Sequence, residues 1–211
     1  MGESKGKLIA FEGIDGAGKS CQIERLADTL RRDGHEVLVT REPGGTASGA
    51  RIRELLLDAA EVQLDPICEL LLFAADRRQH VAEVLQPALA AGQIVLCDRY
   101  VWSTVAYQGF GRGLSLNVIE ELNELAVGTL LPDLTIVLDL DRTCARDRIN
   151  SSRETAPDRM ESEELRFFER VRAGFLTLAE QYPQSFAVID AARSADAVFD
   201  DVLRTLGRLS L

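Results

Sequence analysis

Hydrophobic positions along the chain alternate between two rhythms. Leu8-Ile9-Ala10-Phe11 is a short unbroken apolar run ending at a glycine-rich turn, which predicts a first strand. Ile23, Leu26, Ala27 and Leu30 then recur at helical spacing within residues 19 to 33, and Gly34 stands where a helix stops. Val37-Leu38-Val39-Thr40 predicts a second strand, closed by the turn Pro43-Gly44-Gly45. From Pro66 to about Ala91 the positions Ile67, Leu71, Ala74, Val81 and Leu85 keep a helical period, with a bend expected near Pro87. Ile94-Val95-Leu96-Cys97, Leu134 to Leu138 and Phe186 to Ile189 predict three more strands, and residues 161–182 and 195–209 read as helices. Short, wholly apolar strands between helices mean a parallel sheet covered on both faces. The expected fold class is α/β: three layers, a five-stranded parallel sheet, and one domain over residues 1–211 at roughly 100–200 residues per domain.

Composition narrows the chemistry. With 46% hydrophobic and 27% charged residues the chain can bury a core. Its longest apolar runs, such as Leu70 to Ala75, fall far short of the ~20 residues of a membrane span. The polar start, Met1 to Lys7, and an apolar stretch that stops at Glu12 do not resemble a secretory leader, so a cytoplasmic protein without a membrane partner is expected. Cys21, Cys68, Cys97 and Cys144 are widely spaced beside only two histidines, which predicts reduced thiols rather than a zinc site or disulfides. A formal charge of −10 argues against nucleic acid as the partner. Residues 142–159 stand apart, with arginines at 142, 146, 148, 153 and 159 around the weakly structured run Asn150-Ser151-Ser152, and are expected to leave the globule.

The first turn carries the clearest motif. Gly13-Ile14-Asp15-Gly16-Ala17-Gly18-Lys19-Ser20 fits G-x-x-x-x-G-K-[ST] after a strand and at the start of a helix. Its glycines let backbone N–H groups turn toward a polyphosphate, and the positive end of the helix adds to that field. Residues 13–20 with Cys21 are therefore the candidate ATP contacts, Lys19 reaching the terminal phosphates and Ser20 binding Mg²⁺. A GTPase would carry Asp-x-x-Gly after the third strand and Asn-Lys-x-Asp later. This chain has Asp98-Arg99-Tyr100 at the first place and no Asn-Lys-x-Asp anywhere. A small kinase or ligase acting on a small molecule remains, on a P-loop NTPase-type fold.

Further blocks resemble the thymidylate kinase family. They are Phe11 to Ser20, Thr40-Arg41-Glu42-Pro43-Gly44-Gly45-Thr46, Leu72 to His80, and Asp98-Arg99-Tyr100 followed by Ser103-Thr104 and Ala106-Tyr107-Gln108-Gly109. They occur in family order from about residue 8 to 192. In an open α/β sheet the loops after the strands meet at one edge, so residues 13–20, 40–46 and 98–108 should converge. Asp98 suits a Mg²⁺ ligand or a water-ordering carboxylate. The resemblance places Arg99, Arg41 and Arg77 on the acceptor side, with Arg99 the first candidate to grip the monophosphate bidentately; the competing reading is an Asp98–Arg99 pair that merely closes a strand end. Phe73 and Arg77 share a helix face. The resemblance implies that Phe73 stacks on thymine and Arg77 bonds a base carbonyl, although Phe73 read alone is a core residue. Thr104 and Gln108 would bond the base edge, Tyr107 would exclude a 2′-hydroxyl, Pro43 would wall the thymine methyl, and Asp15 would hold the 3′-hydroxyl.

The implied reaction is transfer of the γ-phosphoryl group of ATP, with Mg²⁺, to dTMP, giving dTDP and ADP. The alternatives are a kinase for another nucleotide or deoxynucleoside and a non-catalytic nucleotide switch. Where some members of the family have an arginine in the phosphate loop this chain has Gly16, so it resembles the bacterial type, whose charge-stabilising arginine sits on a mobile lid. Residues 142–159 match that lid, and Arg148 and Arg153 are its two candidates; a solvated charged helix face is the competing reading. The resemblance also implies a homodimer through helices near 66–92 and 115–127, and adenine contacts at residues 191–193.

Overall fold

The computed structural model describes residues 6–57, 64–152, 159–160 and 163–209. Five strands, β1 (Lys7–Glu12), β2 (Val37–Arg41), β3 (Ile94–Asp98), β4 (Leu134–Asp139) and β5 (Phe186–Asp190), form one sheet in the order β2-β3-β1-β4-β5. Every pairing is parallel. The helices are α1 (Lys19–Arg32), α2 (Ala47–Leu57), α3 (Pro66–His80), α4 (Gln86–Ala90), α5 (Val101–Thr104), α6 (Leu116–Val127), α7 (Arg142–Ser152), α8 (Leu165–Gln181) and α9 (Ala195–Leu206).

The central strands are apolar on both sides because both sides are covered. Ile9 and Phe11 of β1 face one cluster with Leu26, Ile136, Phe168 and Phe175, while Leu8 and Ala10 face the other with Val81, Leu85, Val95 and Tyr100. Each large side chain so buried contributes about 1.5–3 kcal/mol. The register aligns Phe11 with Asp98 of β3, Asp98 with Arg41 of β2, and Phe11 with Ile136 of β4. The strands thus end nearly level, and the loops that follow β1, β2 and β3 emerge side by side.

All five expected strands are present within a residue or two of their predicted limits. The long helix is continuous in direction but changes pitch: α3 starts at Pro66, capped by Asp65, and passes through a wider π-type turn at Val81–Leu85 into α4. The irregularity lies just before Pro87, whose ring and missing N–H disturb the preceding turn. A second wide turn, Val105–Gly111, extends α5. Three expectations shift. Helix α8 begins at Leu165 rather than 161, α9 stops at Leu206 rather than 209, and Asn150-Ser151-Ser152 continue α7 as helix. Nor does α7 leave the globule: its Ala145 is fully buried in the larger core cluster.

Candidate active site

The phosphate loop is shaped by what surrounds it. Gly13 has φ 128°, and a Cβ there would lie 2.5 Å from the Leu138 carbonyl oxygen of β4, so only glycine lets the loop pass this strand. No side chain caps the start of α1, whose N-cap is Gly18, and this leaves the helix end open to an anion. The buried Lys19 ammonium donates to the carbonyls of Gly13 (3.2 Å) and Ile14 (3.4 Å), and it stands 3.7 Å from Asp15 and 3.9 Å from Asp98. Burial lowers its pKa below the ordinary lysine value.

Ser20 and Asp98 meet next to Lys19, with Ser20 Oγ 3.5 Å from Asp98 Oδ2. Asp98 Oδ1 is buried without a hydrogen bond among the described residues. A hydroxyl and an under-satisfied carboxylate are hard oxygen donors of the kind Mg²⁺ takes. No group of three or more His, Cys, Asp or Glu side chains placed to hold a metal exists among the described residues, so a Mg²⁺ here would be held on the protein side by Ser20 and Asp98, with room for ligands from outside the protein.

Arg99 points into the phosphate loop. Its NH1 donates to the Gly13 carbonyl (3.0 Å) and Ser103 Oγ (3.3 Å), its NH2 donates to Asp15 Oδ1 (2.7 Å), and the guanidinium carbon lies 4.9 Å from the centre of the Tyr107 ring. Its backbone is left-handed, with φ 71°, which is costly for a residue with a long side chain. Local bonds enforce it. Arg99 N–H donates to Phe11 O (2.9 Å), Cys97 Sγ donates to the Arg99 carbonyl (3.0 Å), and Tyr100 N–H donates to Glu12 Oε1 (2.9 Å). Glu12 also receives Ser103 N–H (3.2 Å) and Ser103 Oγ (2.5 Å). Burial raises the Glu12 pKa to about 7, against the opposing pull of Ser103 and Arg99. For Asp15 burial pulls upward too, but Arg99 and Lys19 outweigh it and hold the carboxyl well below its usual range.

Beside Arg99 a pocket is lined by Asp15, Pro43, Phe73, Arg77, Thr104, Tyr107 and Gln108, with Glu42, Arg53, Leu57, Ser103 and Met160 completing it. The pocket brings together residues from the ends of β1, β2 and β3 and from one face of α3. Arg41 is the exception among the expected acceptor residues. It is exposed and lines the adjoining cleft with Ser20, Thr40, Gly44, Gly45 and Asp98. Arg77 is buried and nearly saturated, its Nε donating to Glu42 (2.8 Å), NH1 to Thr104 (2.7 Å) and Asn123 (3.1 Å), and NH2 to Tyr100 O (3.0 Å). His80 fixes the other Glu42 oxygen at 2.9 Å. The Tyr107 hydroxyl is buried with no partner among the described residues, a deficit of about 1–3 kcal/mol that a ligand can relieve.

Helix α7 lies against the phosphate loop. A Cβ on Gly16 would come within 2.6 Å of the Ala145 carbonyl oxygen and 3.1 Å of Ile149. Arg142 covers the Phe168 ring at 3.8 Å, and Arg148 donates to the Ala191 carbonyl (2.8 Å), beside the turn at residues 191–193. Arg153 lies outside the described residues. Sequence reading gave no role to Glu12, Glu42, Glu69 or Met160. The available signal was a carboxylate closing an apolar strand at Glu12 and one within the first turn of the long helix at Glu69.

Comparison with known proteins agrees with this geometry. The sequence profile of the family described as thymidylate kinase matches residues 11–202. A thymidylate kinase of Geobacter sulfurreducens is 52% identical over 213 residues, covering 96% of this chain and 99% of the relative. One of Deinococcus radiodurans is 51% identical, covering 92% of each chain. The crystal structure of thymidylate kinase from Ehrlichia chaffeensis superposes with a TM-score of 0.79 at 34% identity, over 95% of this chain and 98% of that one. A phosphate loop, a pocket beside it and an arginine between them therefore sit on a scaffold with named relatives, and the chain belongs to the thymidylate kinase family.

Proposed function

We propose that the protein transfers the γ-phosphoryl group of ATP to dTMP, yielding dTDP and ADP. One observation carries this reading: the Arg99 guanidinium lies between the phosphate loop and the pocket of Phe73, Arg77, Thr104 and Gln108. An acceptor held there has its phosphate facing the donor. With a second pKa near 6, that phosphate is already a dianion at neutral pH and needs no general base. Its difficulty is repulsion from ATP, which nearby cations reduce. Lys19 serves the donor side, Arg99 the acceptor side, and an arginine of the lid, Arg148 or Arg153, covers the transferring group. Ser20 and Asp98 would hold Mg²⁺, which supplies charge neutralisation across the donor phosphates when bound. Asp15 holds the 3′-hydroxyl, Tyr107 excludes a 2′-hydroxyl, and Pro43 bounds the methyl of the base.

The assembly belongs to the same proposal. Ile67 and Leu71, four apart on α3, are exposed, as are Val118 and Leu125 of α6. An apolar surface on packed neighbouring helices supports a homodimer. No helix among the described residues is long and apolar enough to cross a membrane, and we assign the protein to the cytoplasm.

A panel of acceptors in an ADP-release assay tests the reading. dTMP should give the highest kcat/KM, and dUMP should follow within about 200-fold, because one methyl contact discriminates by no more than ~1–3 kcal/mol. A different nucleotide or a deoxynucleoside turned over faster than dTMP overturns it.

A further inference from the structure

Glu69 is fully buried, one turn before Phe73 on α3. Four donors converge on its carboxylate. Oε1 accepts from Gln108 Nε2 (2.7 Å) and Arg112 Nε (2.7 Å), and Oε2 accepts from Arg112 NH2 (2.9 Å) and Arg159 NH2 (2.6 Å). Burial pushes its pKa up, but these donors prevail and hold it below the ordinary glutamate value, so Glu69 stays an anion. A carboxylate anion can only accept hydrogen bonds. Gln108 must therefore turn its NH₂ toward Glu69 and its carbonyl oxygen away, and no described residue donates to that oxygen.

Gln108 lines the base pocket together with Arg77, four of whose five N–H groups are engaged elsewhere in the protein. The pocket thus offers an acceptor from Gln108 and a residual donor from Arg77. A thymine or uracil edge offers the complement, an N3–H beside a C4 carbonyl. A cytosine edge reverses both, with a bare N3 beside an amine. We propose that Glu69 is a specificity-determining positioning residue, which fixes the amide orientation of Gln108 and so makes the pocket select pyrimidines that carry a proton on N3. This rests on the base-pocket reading above.

The test is E69Q, assayed with dTMP and dCMP. Glutamine at 69 can present either end of its amide, which frees Gln108 to rotate. The dTMP-to-dCMP ratio of kcat/KM should fall at least tenfold, mainly through KM for dTMP, with KM for ATP unchanged. A purely structural role would lower both acceptors alike and leave the ratio intact, which overturns the inference while the pocket reading survives. Wild-type protein that does not distinguish dTMP from dCMP overturns both. Should E69Q fail to fold, wild-type protein with ¹⁵N-labelled glutamine side chains gives the second measurement, the Gln108 signal being identified by its loss in Q108L. A charge-assisted bond at this distance should shift a Gln108 Nε2 proton downfield of the exposed glutamines, with and without dTMP. A solvent-like shift in both states overturns the proposal.

Discussion

Lys19 and Glu12 show how single residues divide the work. Lys19 touches the loop carbonyls and both neighbouring carboxylates but lines no part of the base pocket. Lys19→Ala should lower turnover by about 10³-fold or more, as loss of an aligned cation does, while dTMP binding measured by calorimetry stays within about threefold. Lost dTMP affinity would contradict the separation of donor and acceptor sides. Glu12 makes a prediction about pH. Its folded pKa is raised from 4.5 to about 7, so the folded chain holds this proton more tightly than the unfolded chain. The stability it adds is complete below about pH 4.5 and is lost as pH rises through about 7, a loss of about 3 kcal/mol at most. Glu12→Gln keeps an acceptor for the N–H groups of Tyr100 and Ser103, turns an NH₂ toward Ser103 Oγ where an oxygen now accepts from it, and cannot titrate. Urea midpoints at pH 5.5 and pH 8 should therefore differ less in this variant than in the wild type.

Among the elements, the contact between α7 and the phosphate loop is the most constrained. Gly16 has φ 84° and no room for a Cβ beside the Ala145 carbonyl. Gly16→Ala should cost about 1–2 kcal/mol from backbone conformation alone, and more from displacing α7. Denaturation should report that loss, and calorimetric titration should show ATP affinity reduced tenfold or more; unchanged values on both would mean that α7 yields freely. The strands were legible from sequence because each is an unbroken apolar run between turn signals. The wide turns at Val81–Leu85 and Val105–Gly111 were not, since apolar spacing changes little when one turn takes an extra residue. Helix α2 opens on Ala47-Ser48-Gly49-Ala50, with little hydrophobic contrast, and α7 looked like a charged excursion because Ala145 is its small buried contact. The phosphate loop, and most of the residues that line the pocket beside it, were readable from their motifs, Arg41 being the exception. The parts played by Glu12 and Glu69 depend on partners 88 and 39 positions away, Tyr100 and Gln108, which no local pattern discloses.

For the molecule as a whole, the adjacent central strands β1 and β3 bring the phosphate loop and Arg99 together, while α3 lines the pocket with Phe73 and Arg77 and carries the exposed pair Ile67 and Leu71. Leu71→Glu should convert a dimer to monomers in sedimentation velocity, and wild-type protein sedimenting as a monomer would remove the proposed assembly. The Arg99–Asp15 pair has a further bearing on life among competing solutes. An arginine already matched with an aspartate is a poor trap for stray orthophosphate or sulfate, because either must displace an intramolecular counter-ion without bringing a hydroxyl to occupy the freed carboxylate. A nucleotide bound as proposed, with its 3′-hydroxyl on Asp15 and its phosphate on Arg99, would bring both groups at once. On the proposed assignment, selectivity against the salts of the surrounding medium would be built into the Arg99–Asp15 pair itself, before any base is read.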